Sequence, residues 1–231
     1  MRYCSVIYIM IFVLRIATKL LYNFNNKGNA KGCMIFRRQF CSPKMTSNLI
    51  WIDMEMTGLN IEKDKILEFA CIITDKNLNI IASTKNYIIH QPEDVLRSMN
   101  TWCMKTHDQS GLINACLQSK LTEKEVEDEV KKFLEQHTEK NQCPLAGNSV
   151  YMDKLFLIKY MPDLADFLHY RIVDVSTVKE LCRRWNPSIF WKAPAKKLVH
   201  RALDDITESI EELKYYKKFM FVHTNEKKET E

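Results

Sequence analysis

The stretch LIWIDME, residues 49–55, determines the first element of the fold. Four apolar residues precede two acidic ones, Asp53 and Glu55, which stand two positions apart with Met54 between them. A nearly continuous apolar run of this length is typical of a strand buried on both faces of a sheet. Alternate residues of a strand project from the same face, so both carboxylates point the same way.

This pair of acids has two interpretations. Two carboxylates on one face of an apolar strand repel each other and lose hydration unless a cation lies between them. The alternative is a strand end at which both acids lie in water. The apolar flanks, which include Met54 and Met56, favour a functional site over that alternative.

The rest of the sequence alternates strands and helices. Ile66–Thr74 and Leu78–His90 are rich in β-branched residues and are separated by a polar turn at residues 75–77. A capping box at Thr122 and Glu125 opens a predicted helix over residues 122–134. A short apolar run at Pro144–Gly147, a helix at Val150–Met161 and a strand at Arg171–Val175 follow. The last two elements are a helix at Thr177–Trp185 and a long amphipathic helix at Ala202–Phe221. This order predicts an α/β fold with helices on both faces of the sheet.

Length and composition restrict the class of protein. The chain has 231 residues, of which 46% are hydrophobic and 27% charged, and this fits one large globular domain. These values exclude a wholly disordered chain, a collagen-like fibre and a polytopic membrane protein. The 8 cysteines form no C-x-x-C pair, so we expect reduced, mostly buried thiols of an intracellular protein.

Charge is divided unevenly along the chain. Residues 1–52 contain eight basic side chains and no acidic one. The remaining residues carry 26 basic and 29 acidic groups, a net charge of −3, so the overall charge of +5 belongs to the N-terminal segment. A mildly acidic body is not suited to holding long nucleic acid on a broad basic surface. Short nucleic acids or a local site match it better.

The N-terminal segment has the composition of a mitochondrial presequence, because it lacks acids, contains arginine and is amphipathic. Its apolar run Tyr3–Leu14 is shorter than the about 20 residues that span a bilayer. A secretory signal is the rival interpretation, although Arg15 and Lys19 follow the run closely and no small-x-small cleavage site stands out.

These features predict three segments. Residues 1–45 are a targeting leader and linker, residues 46–222 the folded domain, and residues 223–231 a flexible charged tail. Met45 opens the folded part, and as an alternative start it would give a cytosolic form beside the mitochondrial one. We expect no membrane association of the mature form.

Other acids and one histidine are candidates for the same site. Asp153 falls at the entry to a predicted helix, where an acid also serves as an ordinary cap. His200 and Asp205 are five residues apart, about 140° around a helix, so they converge only if His200 lies in the loop that enters the helix. Asp204 is an alternative to its neighbour Asp205.

Three segments together form a recognisable set: WIDMEMTGL at 51–59, GNSVYMD at 147–153 and HRALDDI at 200–206. This order of motifs resembles the DEDD-type 3′-to-5′ exonucleases, in the version that carries a histidine. More narrowly, the sequence is similar to the oligoribonuclease family, including its animal mitochondrial members. The likeness covers roughly residues 46–220 and implies a ribonuclease H-like exonuclease fold, a mixed central sheet flanked by helices.

The resemblance implies a site for two divalent ions. Phosphodiester cleavage develops negative charge on the attacking and leaving oxygens, which two ions about 3.5–4 Å apart stabilise. The implied ligands are the acids Asp53, Glu55, Asp153 and Asp205, with Asp53 shared between the ions. Their hard oxygen atoms suit Mg²⁺ or Mn²⁺ rather than zinc. His200 is implied as the base that takes a proton from the attacking water, a task suited to imidazole.

The resemblance also implies the substrate. We expect release of 5′-mononucleotides from the 3′ end of short single-stranded RNA. Leu59 would wedge between two bases, and Trp102 and His107 would line the nucleotide pocket. Stacking on an aromatic ring tolerates any base, which suits an enzyme that degrades mixed fragments.

A cap over the 5′-phosphate would exclude longer strands and make dinucleotides the preferred substrate. Ser149, Arg171 and Ser176 are implied as this cap, with Tyr170 contributed by a second subunit. The resemblance therefore implies a homodimer. Without it, each of these residues has an ordinary interpretation: Leu59 and Trp102 as core, Arg171 as a solvated strand end and Tyr170 as packing.

Three other functions remain alternatives. An exonuclease acting on longer RNA or DNA ends would need a basic groove or an extra binding domain, and the sequence shows neither. A non-catalytic binding module on the same fold would be favoured by loss of a metal-binding acid, yet all four acids and the histidine are present. A secreted nuclease depends only on how the N-terminal segment is interpreted.

Overall fold

The computed structural model of the protein describes residues 47–195 and 200–221. The strands are β1 Leu49–Met56, β2 Ile66–Thr74, β3 Ile80–Ser83, β4 Tyr87–Ile88, β5 Pro144–Gly147 and β6 His169–Asp174. The helices are α1 Glu93–Arg97, α2 Thr101–Gln109, α3 Leu112–Gln118, α4 Glu123–His137, α5 Tyr151–Tyr160, α6 Pro162–Phe167, α7 Val175–Trp185, α8 Pro187–Phe190 and α9 Ala202–Met220. The predicted leader and linker at 1–45, the alternative start Met45 and the predicted tail at 223–231 lie outside the described residues.

The strands form a mixed sheet in the order β3-β2-β1-β5-β6, with β4 paired to β2 as well. β1 runs antiparallel to β2, and β2 runs antiparallel to β3 and β4. β5 lies parallel to β1 on its other side, and β6 lies parallel to β5. The prediction of a mixed central sheet is therefore confirmed.

The residues of β1 alternate between two hydrophobic cores. Ile50 and Ile52 pack into a core that contains residues of α4, α5 and α6. Trp51 packs on the opposite face, in a core built with residues of α7 and α9. Asp53 and Glu55 have the same parity as Trp51, so the period of two in a strand places them on the side of α9. Helices cover both faces of the sheet, as predicted.

The predicted β-rich run Leu78–His90 is divided into two short strands, β3 and β4. Thr84 interrupts it, because its Oγ1 accepts a hydrogen bond from the backbone N–H of Cys71 at 3.0 Å in place of a carbonyl. The turn before β3 is held by Asp75, whose Oδ1 accepts from the N–H groups of Asn77 and Asn79. The predicted capping box of α4 is present, with Thr122 and Glu125 bonded reciprocally.

Two further observations concern the helices and the cysteines of the described residues. None of the helices within residues 47–195 and 200–221 is long and apolar enough to cross a bilayer. All five cysteines of the described residues are buried: Cys71, Cys103, Cys116, Cys143 and Cys182. These cysteines match the expectation of mostly buried thiols.

Candidate active site

The two acids of β1 lie half-buried at the C-terminal part of the strand. Glu55 is directly opposite Glu68 in the antiparallel ladder with β2, and the ladder register shifts at the next position, Met56. A third acid, Asp153, stands in the first turn of α5. Its Oδ1 accepts a hydrogen bond from the backbone N–H of Met54 at 3.1 Å, which brings this buried carboxylate to β1 between Asp53 and Glu55.

His200 and Asp205 converge on Glu55. α9 begins at Ala202, so His200 lies in the entering loop, as the spacing predicted, and its backbone has a left-handed φ of 54°. One ligand atom from each of Glu55, His200 and Asp205 lies within 4.8 Å of the others. Asp204 is exposed instead, which selects Asp205 from the two neighbouring acids.

The electrostatics of this cluster fit a bound cation. Burial raises the pKa of Glu55 to about 8, and the nearby carboxylates of Asp205, Glu68 and Asp153 raise it in turn, against an opposing effect of Arg201. Burial likewise raises the pKa of Asp153 to about 8. Carboxylates crowded in this way favour a positive charge among them, and their oxygen atoms are the ligands that divalent Mg²⁺ and Mn²⁺ prefer. The residues present therefore fit a divalent metal site.

A cleft of about 550 Å³ opens beside the cluster. Trp102, from α2, lines it together with His200, and the two rings meet edge to face with centroids 5.6 Å apart. The Trp102 side chain is 62% exposed, and Leu59, in the loop after β1, is 68% exposed. Both therefore present apolar surface to solvent, Trp102 in the cleft and Leu59 in the loop that follows the strand of Asp53 and Glu55.

His107 is buried rather than exposed on the wall of an open pocket. Its ring is only 1% exposed, and Nε2 lies 3.0 Å from the carbonyl oxygen of Met56, so Nε2–H is the donor. The other ring nitrogen, Nδ1, lies 3.9 Å from a carboxylate oxygen of Glu55. Burial lowers the pKa of His107, which favours the neutral ring. His107 thus packs behind Glu55, from where it can reach only a substrate that enters deeply.

The loop that carries Leu59 is held by Asp64. Its carboxylate accepts hydrogen bonds from the Thr57 hydroxyl at 3.0 Å and from the Asn60 N–H at 2.8 Å. A Cβ on Gly58 would lie 2.5 Å from an oxygen of Asp64, so the loop can close in this way only with glycine there.

Ser149 and Ser176 form a hydroxyl pair at the ends of β5 and β6. Their Oγ atoms are 3.0 Å apart, and the Ser149 N–H donates to Ser176 Oγ at 2.8 Å. Asp174 accepts from the N–H groups of both serines, and Ser149 has a left-handed φ of 52°. Asn148 accepts from the Ser176 hydroxyl at 3.1 Å. The predicted cap residues Ser149 and Ser176 are therefore brought together.

Tyr170 and Arg171 form a separate pair on β6. The Arg171 guanidinium lies 5.3 Å from the centroid of the Tyr170 ring, and both side chains are exposed, Tyr170 by 72%.

Two residues near the carboxylates were not anticipated, Glu68 and Arg201. Arg201 donates to Glu68 through Nε and Nη2, at 2.9 to 3.1 Å. The sequence contains a signal for Glu68, because it is the one charged residue in the apolar strand ILEFACIIT. Asp53 and Glu55 are likewise the charged residues in LIWIDME. An acid in an apolar strand is thus a signal in β2 as well as in β1.

Known proteins resemble this chain along most of its length. Residues 50–213 match the RNase_T family, described as exonucleases. The protein named "Oligoribonuclease, mitochondrial" of Bos taurus is 54% identical over 185 residues, which are 80% of this chain and 78% of that protein. "Oligoribonuclease" of Actinobacillus pleuropneumoniae is 57% identical over 170 residues, 74% of this chain and 92% of that protein.

The chain belongs to the oligoribonuclease family. Within that family it is a hydrolytic 3′-to-5′ exoribonuclease, which confirms the predictions of family and enzyme class. The human relative, 54% identical over 177 residues, is also named as mitochondrial, and these names support a mitochondrial location.

Solved structures of exonuclease I share the fold of this chain. A structure of exonuclease I matches with a TM-score of 0.57 and 14% identity over 74% of this chain. Exonuclease I of E. coli in complex with a dT13 oligonucleotide matches with a TM-score of 0.58 and 17% identity. This chain spans 41% of each of these two proteins. The likeness confirms the predicted exonuclease fold.

Proposed function

We propose that the enzyme degrades short single-stranded oligoribonucleotides, dinucleotides above all, to 5′-mononucleotides, and that it uses two divalent ions, Mg²⁺ or Mn²⁺. The observation that carries this proposal is the convergence of Glu55, His200 and Asp205 beside a cleft lined by Trp102. Two parts of the chain far apart in sequence supply these groups, β1 and the start of α9, and clustered carboxylates beside a histidine are typical of a functional site.

Asp53, Glu55, Asp153 and Asp205 would hold the ions. Divalent ions bound there would stabilise the negative charge that develops on the attacking and leaving oxygens of the phosphodiester. The protein's own contribution is to fix these carboxylates on regular structure: two on β1, one in the first turn of α5 and one in the first turn of α9.

His200 would act as the general base. A base must lie within hydrogen-bond reach of the proton that it removes, and His200 stands beside the carboxylates at the mouth of the cleft. The edge-to-face contact with Trp102, with ring centroids 5.6 Å apart, would restrict rotation of the imidazole ring.

Leu59 and Trp102 would hold the bases, with His107 at the back of the nucleotide pocket. The exposed apolar side chains provide surface for stacking without selecting a base. Ser149, Ser176 and Arg171 would bind the 5′-phosphate of the other end, through two hydroxyl groups and one cation. A net charge of −3 over residues 53–231 fits a substrate with few phosphates.

The enzyme would act as a homodimer in which Tyr170 reaches the site of the partner subunit. One face of α5 exposes Tyr151, Leu155 and Ile158, spaced as residues of one helical stripe, and β6 exposes Tyr170 and Ile172 on one strand face. Lys154 joins the two elements by donating to the carbonyl oxygen of Tyr170 at 2.7 Å. A connected apolar surface of this kind is typical of an interface between subunits.

The first experiment compares 5′-phosphorylated RNAs of two and twenty nucleotides in the presence of Mg²⁺, with Asp53→Ala as the inactive control. We expect rapid cleavage of the dinucleotide and slow attack on the long strand. Equal or faster attack on the long strand would contradict the cap formed by Ser149, Arg171 and Ser176. No cleavage of either RNA by the folded protein would favour a binding module.

Mixing two impaired variants tests the dimer. Asp53→Ala removes a metal ligand, and Tyr170→Ala removes the group offered to the partner. A mixed dimer then contains one site with both groups intact, so an exchanged equimolar mixture should recover about a quarter of the wild-type activity. No recovery, after subunit exchange has been shown by mass, would place Tyr170 in its own subunit's site.

Residues 1–45 would direct import into mitochondria and then be dispensable, while synthesis from Met45 would give a cytosolic form. A C-terminally tagged chain should therefore localise to mitochondria, and its variant that starts at Met45 to the cytosol. Secretion of the tagged chain would identify the leader as a secretory signal.

A further inference from the structure

Glu68 is a fully buried carboxylate beside the active site, and it belongs neither to the cluster of Glu55, His200 and Asp205 nor to the lining of the cleft. It is the third residue of β2, opposite Glu55. Its two oxygens accept from Nε of Arg201 at 3.0 and 3.1 Å, and one of them accepts also from Nη2 at 2.9 Å. This bidentate ion pair fixes both the position and the plane of the guanidinium group.

The same carboxylate caps the helix that carries Asp205. The first N–H groups of a helix have no partner within it and are usually satisfied by a local side chain. The N-cap residue of α9, Arg201, forms no such bond. Instead Glu68 accepts from the N–H of Ala202 at 3.4 Å, and Asn86 accepts from the N–H of Leu203 at 3.1 Å. The start of α9 is thus anchored from β2 and from the segment between β3 and β4.

His200 directly precedes this anchored point. Its left-handed φ of 54° is a conformation that a residue with a Cβ adopts only when its surroundings impose it. Arg201, the next residue, has an extended backbone and is fixed by Glu68 at its side chain. The Glu68–Arg201 pair therefore fixes the backbone at Arg201. Because His200 directly precedes Arg201, the pair also fixes the orientation of the His200 imidazole.

Stability alone does not account for a charge at this position. A buried ion pair gains little over well-packed apolar residues, because both charges must first lose their hydration. Glu68 also stands opposite Glu55, where its charge disfavours a second carboxylate. An apolar residue in β2 would avoid that repulsion, but it would leave Arg201 and the start of α9 without a partner.

We propose that Glu68 is a positioning residue for His200: through Arg201 and the first N–H of α9 it holds the imidazole against Glu55 and Asp205. The inference rests on the proposed role of His200 as general base. Glu68 contacts neither substrate nor metal, and it acts through Arg201 and the start of α9.

A matched control exists elsewhere in the chain. Glu127, in α4, is also buried, at 1% exposure. It accepts from the N–H groups of Asp163 and Leu164 at the start of α6, at 2.7 and 3.1 Å, and pairs with Lys124 at 2.8 Å. It is the same device, a buried glutamate that caps a helix and pairs with a cation, but it serves a helix that carries none of the proposed catalytic groups.

The experiment compares Glu68→Gln and Glu127→Gln in the full chain, with kcat and KM for a dinucleotide at saturating Mg²⁺ and with thermal unfolding. We expect both substitutions to lower Tm by similar amounts. Only Glu68→Gln should lower kcat, by about 10- to 100-fold, as misplacement of a catalytic group does. KM should stay within about twofold, because the base-binding surface of Leu59 and Trp102 is unchanged.

The deciding measurement repeats Glu68→Gln in a His200→Ala background under single-turnover conditions. If Glu68 acts through His200, it should change the residual rate there by less than about twofold. An equal loss in both backgrounds overturns the proposal, as does a normal kcat in a folded Glu68→Gln enzyme.

If Glu68→Gln does not fold, the Asn86→Ala variant tests the proposal instead. It removes one anchor of α9 and should lower kcat several-fold at unchanged KM, and a normal kcat there overturns the proposal.

Failure of the proposed function gives a different result. In that case His200→Ala alone keeps the wild-type rate, or the wild-type chain does not cleave the dinucleotide. If His200→Ala is impaired while Glu68→Gln and Asn86→Ala are not, only the positioning role is wrong.

Discussion

The metal-binding and nucleotide-binding ends of the candidate site are built in opposite ways. The acids that would bind metal lie on β1, α5 and α9, and each is at least half-buried. The groups that would bind nucleotide are exposed: Leu59 in a loop, Trp102 on α2 and Tyr170 on β6. The carboxylate end is therefore largely buried, whereas the nucleotide end is a solvent-exposed apolar surface.

The difference shows what each end lacks. Burial and the neighbouring carboxylates raise the pKa of Glu55, so the carboxylate end favours an added positive charge, either a proton or a bound cation. The nucleotide end leaves large apolar side chains in water, so it is complete only when a base or a second subunit covers them. Substitutions at the carboxylate end should therefore act on the chemical step and on metal-linked stability, and those at the nucleotide end on substrate affinity.

The largest effect is expected for Asp205→Asn, with Asp204→Asn as its matched control. Both remove one negative charge from the first turn of α9, so any effect on the helix dipole is the same. Only Asp205 points to Glu55 and His200, and loss of a metal ligand that is worth several kcal/mol should lower kcat/KM by about 10³-fold or more. Asp204 lines the cleft but lies outside the carboxylate cluster, so Asp204→Asn should leave kcat within about threefold. Comparable losses in both would contradict the assignment of Asp205.

Metal binding should stabilise the fold through the same carboxylates. Mg²⁺ at about 100 times its Kd should add about 2.7 kcal/mol and raise Tm by about 5 to 10 °C for a chain of this size. Glu55→Gln should lose most of that increment, yet without metal it should unfold at the same temperature as the wild type or higher, because a repelling carboxylate is gone. Calorimetry with and without Mg²⁺ measures both. A full Mg²⁺ increment in Glu55→Gln would show that the ion binds elsewhere.

At the carboxylate end the sequence predicted the positions of residues along their elements, because the relevant spacings are local. A period of two in β1 placed Asp53 and Glu55 on one face, and the angle between residues of a helix required His200 to lie before α9. Both follow from the geometry of a single element.

Sequence reasoning failed where a partner is distant in sequence. Arg201 and Glu68 are 133 residues apart, and no local pattern announces their pairing. The three short helices α1, α2 and α3 were not predicted, because they pack mainly through a small core around Leu67 and carry weak periodicity of their own. The burial of His107 behind Glu55 depends on that same packing.

At the nucleotide end, Trp102→Ala should act chiefly on affinity. Stacking of a base on an aromatic ring is worth about 1 to 3 kcal/mol, so KM should rise about 5- to 150-fold. Trp185→Ala is the control, since Trp185 is 68% exposed and lies at the end of α7, outside the lining of the cleft. Kinetics on a dinucleotide separate KM from kcat. If kcat alone falls, the edge contact of Trp102 with His200 matters more than stacking.

The smallest effect is expected for Gly58→Ala, which moves the Leu59 loop without touching a functional group. The added Cβ would lie 2.5 Å from an oxygen of Asp64, and that carboxylate is held in place by Thr57 and Asn60. A displacement worth about 1 kcal/mol should raise KM about fivefold and leave kcat unchanged. In a Leu59→Ala background the same substitution should add little, because the side chain that it misplaces is absent. A fall in kcat instead would mean that the loop also shapes β1 and its carboxylates, and the two ends of the site would then not be independent.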